Sequence, residues 1–61
     1  MAMSEEVAHL VREFEWTRPR HGGDVEYAAP IFGMTPEGLD WALRRANDSG
    51  ARVKYKGVHR E

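Results

Sequence analysis

Five basic side chains in the last third of the chain have the most readily assigned chemistry. They are Arg44, Arg45, Arg52, Lys54 and Lys56. Guanidinium and ammonium groups bind phosphate and other anions through charge-assisted hydrogen bonds. Up to Gly33 acidic residues outnumber basic ones by three, whereas from Met34 onward basic residues outnumber acidic ones by two. The net charge of −1 therefore conceals a basic C-terminal part, which suits either an anionic partner or a solvated surface.

The elements that must position these side chains begin with an amphipathic helix. Ser4 is a suitable N-cap, and apolar residues follow at helical spacing: Val7, Leu10, Val11 and Phe14. In residues 14–18, Phe14, Trp16 and Arg18 alternate with Glu15 and Thr17. This pattern fits either a short strand or the last turn of this helix. Residues 19–23, P-R-H-G-G, form a breaker cluster and predict a mobile loop.

Two further helices are predicted on either side of Gly33. Asp24 is an N-cap for residues 25–32, where Pro30 favours a late start or a kink. Thr35 caps the next helix, whose apolar positions are Leu39, Ala42, Leu43 and Ala46 and which residues 47–50 end. Gly33 suits the left-handed conformation of a tight turn between the two helices.

The C-terminal part alternates between apolar and basic residues. Val53 and Tyr55 point to one side and Arg52, Lys54 and Lys56 to the other, which predicts a half-buried strand with a basic outer face. A single strand requires a partner, and residues 14–18 offer the alternative of a two-stranded ribbon.

Residues 28–45 resemble the helix-turn-helix motif of DNA-binding regulators. Ala29 stands where that family has a small side chain, Gly33 is the turn glycine, Phe32 and Met34 flank it as buried residues, and Leu39 and Ala42 seat the second helix. The run G-M-T-P-E-G-L-D-W-A-L-R-R-A is similar to small proteins of actinobacteria and their phages, including winged excisionases and repressors. The resemblance implies a mainly α fold: one domain over residues 1–61, a three-helix helix-turn-helix domain with its motif at about 24–46 and a short basic strand or wing at 51–57.

The resemblance also implies a function and a set of contact residues. The chain is expected to bind double-stranded DNA as a regulator of transcription or a recombination directionality factor, with the helix of residues 35–45 in the major groove. The expected DNA-binding residues are Thr35, Glu37, Gly38, Asp40, Trp41, Arg44, Arg45, Arg52, Lys54 and Lys56. Glu37 and Asp40 depart from the usual pattern, because carboxylates repel phosphates and suit only a cytosine amine.

Trp41 keeps a second class of function open. It either folds over the edge of the core against Tyr55 or Phe32, or stands exposed as an anchor for a protein partner. The alternative function is therefore a protein–protein adaptor or inhibitor that uses the same surface. Homodimerisation or cooperative assembly is a further expectation, because a chain of 61 residues buries a small core.

Enzymatic chemistry is not indicated. The sequence has no nucleophile motif, no phosphate-binding glycine loop and no cysteine. His9, His21 and His59 have no metal-ligand spacing and are expected to be surface residues. We therefore predict no catalytic residue, metal or cofactor. The absence of a signal peptide and of a long apolar run predicts a cytoplasmic protein without membrane contact.

Overall fold

In a computed structural model of the chain, residues 3–58 are described, and they are mainly helical. The helices are α1 (Glu5–Trp16), α2 (Arg18–His21), α3 (Val25–Phe32) and α4 (Pro36–Asp48). The predicted mainly α class is confirmed, but the described residues form four helices and not three. None of these helices has the length and apolar character needed to cross a membrane.

Helix α1 forms for the reasons that the sequence indicated. The Ser4 hydroxyl accepts the Val7 N–H at 3.2 Å, and Glu5 and Glu6 lie at the positive end of the helix dipole. The helix continues to Trp16, so the alternative of a strand over residues 14–18 is wrong. The predicted loop is also wrong in its first half, because α2 is a helical turn.

Helices α3 and α4 are joined by a short turn. The Asp24 carboxylate accepts the Glu26 N–H at 2.9 Å, so α3 begins at Val25 and includes Pro30, against the expected late start. Gly33 has φ 64°, the left-handed conformation predicted for it, and the Met34 N–H donates to the Ala29 carbonyl at 3.0 Å. This geometry closes α3 and redirects the chain within a few residues.

The C-terminal segment, residues 51–58, is irregular and forms no strand, and Arg52 in it has φ 60°, in the left-handed region. Its only β-type pairing is an isolated parallel bridge between Asp24 and Lys56. The alternation is confirmed: Val53 is buried, Tyr55 is half-buried, and Arg52, Lys54 and Lys56 are exposed. The prediction of a strand over residues 52–56 is therefore wrong, because a ladder of strand hydrogen bonds is absent there. The prediction of which side chains face inward and which face outward is right. The segment bonds to helix side chains and turns, because residues 14–16 lie in α1 and offer no strand for it to pair with.

One hydrophobic core unites these elements. Its buried members are Phe14, Val25, Ala28, Ala29, Leu39, Leu43 and Val53. Phe32 and Met34, expected to be buried, are only partly buried and pack against this cluster. Since the core takes residues from α1, α3, α4 and the C-terminal segment, it fixes α4 and that segment relative to each other.

Candidate functional site

Helix α4 has a buried side and an exposed side. Leu39, Leu43 and Ala46 are fully buried. The opposite side carries Glu37, Trp41, Arg44, Arg45 and Asp48, all exposed, at the spacing that brings residues three, four and seven positions apart onto one face. We call these five residues the outer face of α4. Four of the ten predicted site residues belong to it.

Asp40 does not belong to the outer face. Its side chain is 16% exposed, and its carboxylate accepts the Val58 N–H at 3.1 Å and the Tyr55 hydroxyl at 3.4 Å. A Cβ on Gly57 would lie 2.8 Å from the Asp40 Oδ2, so the backbone approaches this carboxylate closely. The Asp40 carboxylate thus attaches the C-terminal segment to α4. This role explains why α4 has a carboxylate at a position where DNA-binding helices rarely have one.

Thr35 and Gly38 form the N-terminal cap of α4. The Thr35 hydroxyl accepts the Gly38 N–H at 3.0 Å. A Cβ on Gly38 would lie 3.0 Å from that hydroxyl oxygen, so glycine leaves room for the cap. The hydroxyl of exposed Thr35 keeps its own proton available for donation to an external acceptor.

Trp41 stands at the centre of the outer face. It is 60% exposed, so the alternative in which it folds over the core edge is wrong. The Arg45 guanidinium lies over the indole at 4.8 Å from its centroid, at the distance of a cation–π contact. Trp41 separates two shallow depressions, one lined by Arg45, Asp48 and Ser49 and the other by Glu37, Asp40, Arg44 and Val58.

The C-terminal segment lies antiparallel beside α4. The Asn47 side chain bonds the backbone of Val53, whereas Asp40, two turns earlier in the helix, bonds Val58. Because Val53 and Tyr55 face inward, the alternating side chains of Arg52, Lys54 and Lys56 are exposed along this flank. The structure thus brings the basic residues of the segment to one side of the helix that carries Arg44 and Arg45.

His21 is the functional candidate that sequence reasoning missed. It is 5% exposed, so the expectation of a surface histidine is wrong for this residue, whereas His9 is exposed and His59 lies outside the described residues. No group of three or more His, Asp or Glu side chains within residues 3–58 could hold a metal ion. A signal was present in the glycine pair after His21, since tight turns bring backbone N–H groups to nearby side chains.

Tyr27 and Ile31 were also missed. They lie one helical turn apart on α3 and are 69% and 41% exposed, so they place apolar surface outside the predicted site. Their four-residue spacing in the sequence was the available signal.

Known proteins add no direct guide to this surface. Comparison of the chain with protein-family models, with curated proteins and with solved structures gives no significant match.

Proposed function

We propose that this chain is a small helix-turn-helix protein that binds double-stranded DNA, as the bacterial and phage regulators and excisionases that it resembles do. The observation that carries the proposal is the pairing of a capped, outward-facing α4 with five exposed basic residues on and beside it: Arg44, Arg45, Arg52, Lys54 and Lys56. Such a combination suits a helix in the major groove with cations on the flanking phosphates.

Most of the affinity in this proposal comes from phosphate contacts. The Thr35 hydroxyl, at the start of α4, donates to a phosphate while it accepts from Gly38. Arg44 is 71% exposed, and its ion pair with Asp40 is long at 3.8 Å, so its guanidinium is free to turn outward at little cost. Base discrimination falls to Trp41 and Glu37, which suit a thymine methyl and a cytosine amine.

The internal bonds of Asp40 favour this proposal. A carboxylate that faced the phosphates would repel them, but Asp40 faces the C-terminal segment. Only Glu37 and Asp48 remain as acids on the outer face, against Arg44 and Arg45. The basic excess therefore comes from the C-terminal segment, and the segment is predicted to dominate non-specific binding.

The test is the salt dependence of binding to a labelled random-sequence duplex, measured by fluorescence anisotropy. Binding should weaken steeply as salt rises, and the double variant Arg44→Ala/Lys54→Ala should reduce the slope of log K against log salt by about 2. Arg12→Ala is the matched control, because Arg12 is exposed on α1, and it should leave the slope unchanged. Absence of binding at low salt would exclude DNA as the partner.

A protein partner is the second candidate function, favoured by the exposure of Trp41 and its contact with Arg45. Tryptophan and arginine are the residues that most often dominate protein interfaces. Trp16 is 82% exposed, so the Trp16→Phe variant is needed to make Trp41 the sole indole. If DNA binding leaves Trp41 emission unchanged and Trp41→Ala leaves DNA affinity unchanged, the outer face of α4 serves another partner.

A further inference from the structure

His21 lies in the corner where α1, α2 and the start of α3 meet. Its ring centroid is 4.5 Å from that of Phe14, a fully buried core residue. The Gly23 N–H lies 2.9 Å from Nδ1. Nε2 lies 3.2 Å from the Phe14 carbonyl oxygen and 3.0 Å from the Thr17 hydroxyl. Both ring nitrogens therefore have partners.

These partners fix the protonation state of the ring. A backbone N–H only donates, so Nδ1 must accept from Gly23 and carries no proton. A carbonyl only accepts, so Nε2 carries the ring proton and donates toward Phe14 and Thr17. The ring is neutral in this arrangement. A proton added at Nδ1 would face the Gly23 N–H, donor against donor, and would break that hydrogen bond.

Gly23 also holds the C-terminal segment. Its carbonyl accepts the Lys56 N–H at 2.8 Å, and the Lys56 carbonyl accepts the Val25 N–H at 3.1 Å. The Arg18 guanidinium reinforces this attachment by donating to the Lys54 carbonyl at 2.8 Å. Gly23 has φ 82°, so its conformation is one that few other residues adopt. Movement of Gly23 away from a charged ring would thus disturb the bonds at Lys56.

We propose that His21 is a proton-operated latch: its neutral ring holds Gly23 and, through it, residues 54–56, and uptake of one proton at Nδ1 releases that part of the C-terminal segment. The released residues include two exposed lysines, Lys54 and Lys56. Helices α1, α3 and α4 stay packed, because they share the buried residues Phe14, Ala28, Ala29, Leu39 and Leu43, whereas residues 54–56 contribute only the partly buried Tyr55 to this cluster. The inference does not depend on the partner being DNA.

The electrostatics of the corner agree with the latch. Burial lowers the pKa of His21, the Phe14 carbonyl raises it, Arg18 lowers it and Glu15 raises it, with a net lowering. Arg18 and Glu15 are themselves bonded, Nε to Oε1, at 2.6 Å. The other charged residues next to the corner are Asp24, whose carboxylate caps α3, and Lys54 and Lys56, which are exposed.

Solution NMR of the unmodified chain tests the latch, with the pH lowered from 7.5 until the His21 ring has titrated. We expect the amide resonances of Gly23 and Lys56 to shift with the same midpoint as the His21 ring. Protection of the Lys56 amide, corrected for intrinsic exchange, should fall by about tenfold or more across that midpoint, as in a local opening. Amides inside α4, such as that of Leu43, should keep their protection.

Three results would overturn the proposal. The first is a Lys56 amide whose protection does not change while the His21 ring titrates. The second is simultaneous loss of protection at Lys56 and Leu43, which would mean global unfolding. The third is a pH response of Lys56 that persists in the His21→Gln variant. His9→Gln is the control, since His9 is exposed on α1, and the response should survive there. Since the unmodified chain supplies the first two readouts, the test does not require the His21→Gln variant to fold.

Discussion

The side-chain amide of Asn47 satisfies both backbone hydrogen-bonding groups of Val53. Its Nδ2 donates to the Val53 carbonyl at 3.0 Å, and its Oδ1 accepts the Val53 N–H at 2.6 Å. The amide thereby acts as a one-residue substitute for a neighbouring strand. Val53 is 5% exposed, so its backbone could not reach water without loss of packing. Together with the bonds from Gly23, Val25 and Arg18, this pairing from α4 holds the C-terminal segment in place without a sheet.

Asn47→Ala should lower the free energy of unfolding by about 1–3 kcal/mol, because two backbone groups at a buried residue lose their partner. Urea denaturation followed by circular dichroism at 222 nm measures the change. Asp48→Ala, at the next position in α4 and exposed, is the matched control and should change stability by less than about 0.5 kcal/mol. Equal effects of the two substitutions would contradict a specific role for Asn47.

Leu43→Ala should destabilise the protein far more than Trp41→Ala. Leu43 is fully buried whereas Trp41 is 60% exposed. A buried leucine truncated to alanine costs about 2–5 kcal/mol, which is a large fraction of the total stability of a domain of this size, about 3–9 kcal/mol. Truncation of the exposed indole should cost less than about 1 kcal/mol, chiefly through the lost Arg45 contact.

Thermal denaturation of both variants checks this prediction. A large drop in Tm for Trp41→Ala would mean that the indole belongs to the core after all. Leu43→Met serves as a size-matched control and should cost less than about 1.5 kcal/mol.

Gly33→Ala should destabilise the turn between α3 and α4 by about 1–2 kcal/mol, because an L side chain resists the left-handed conformation. Gly33 has φ 64°, and a Cβ there would meet nothing within 4 Å, so the cost comes from the backbone alone. Gly33→Asn should cost less, since asparagine tolerates this region. Urea denaturation measures both, and an alanine variant as stable as the parent would contradict the turn geometry.

Stability should fall as pH decreases below neutrality. Burial, the largest effect, lowers the pKa of His21 in the folded chain below the ordinary histidine value of 6.5. The unfolded chain therefore binds a proton more readily. The contribution of His21 is fully present above pH 6.5, declines as pH drops through that value and levels off below the lowered pKa of the folded state.

Urea denaturation at pH 7.5, 6.5 and 5.5 measures this decline. The His21→Gln variant should show a flatter profile, whereas His9→Gln should keep the slope of the parent. A profile that is independent of pH between 5.5 and 7.5 in the parent would refute the buried, neutral His21.

The sequence by itself determined helices α1, α3 and α4 and the side chains that cap their N-termini, but it missed α2. Ser4, Asp24 and Thr35 have the side chains that cap helix N-termini, and all three do so. Gly33 predicted the turn between α3 and α4. The alternation of residues 52–56 predicted which side chains face the core and which face outward. These features depend on interactions within a few residues of each other, which is why periodicity and capping rules predict them.

The tertiary structure alone decided how the polar residues are used. Asp40 and Asn47 both occur in α4, yet one holds Val58 and the other holds Val53, and neither pairing follows from spacing. His21 belongs to residues 19–23, whose composition predicted a loop, but its ring lies buried against Phe14. Trp41 is exposed because Leu39 and Leu43 occupy the buried side of α4 and Trp41 lies on the opposite side. Each outcome depends on contacts between residues distant in sequence, and such contacts exist only once the chain has folded back on itself.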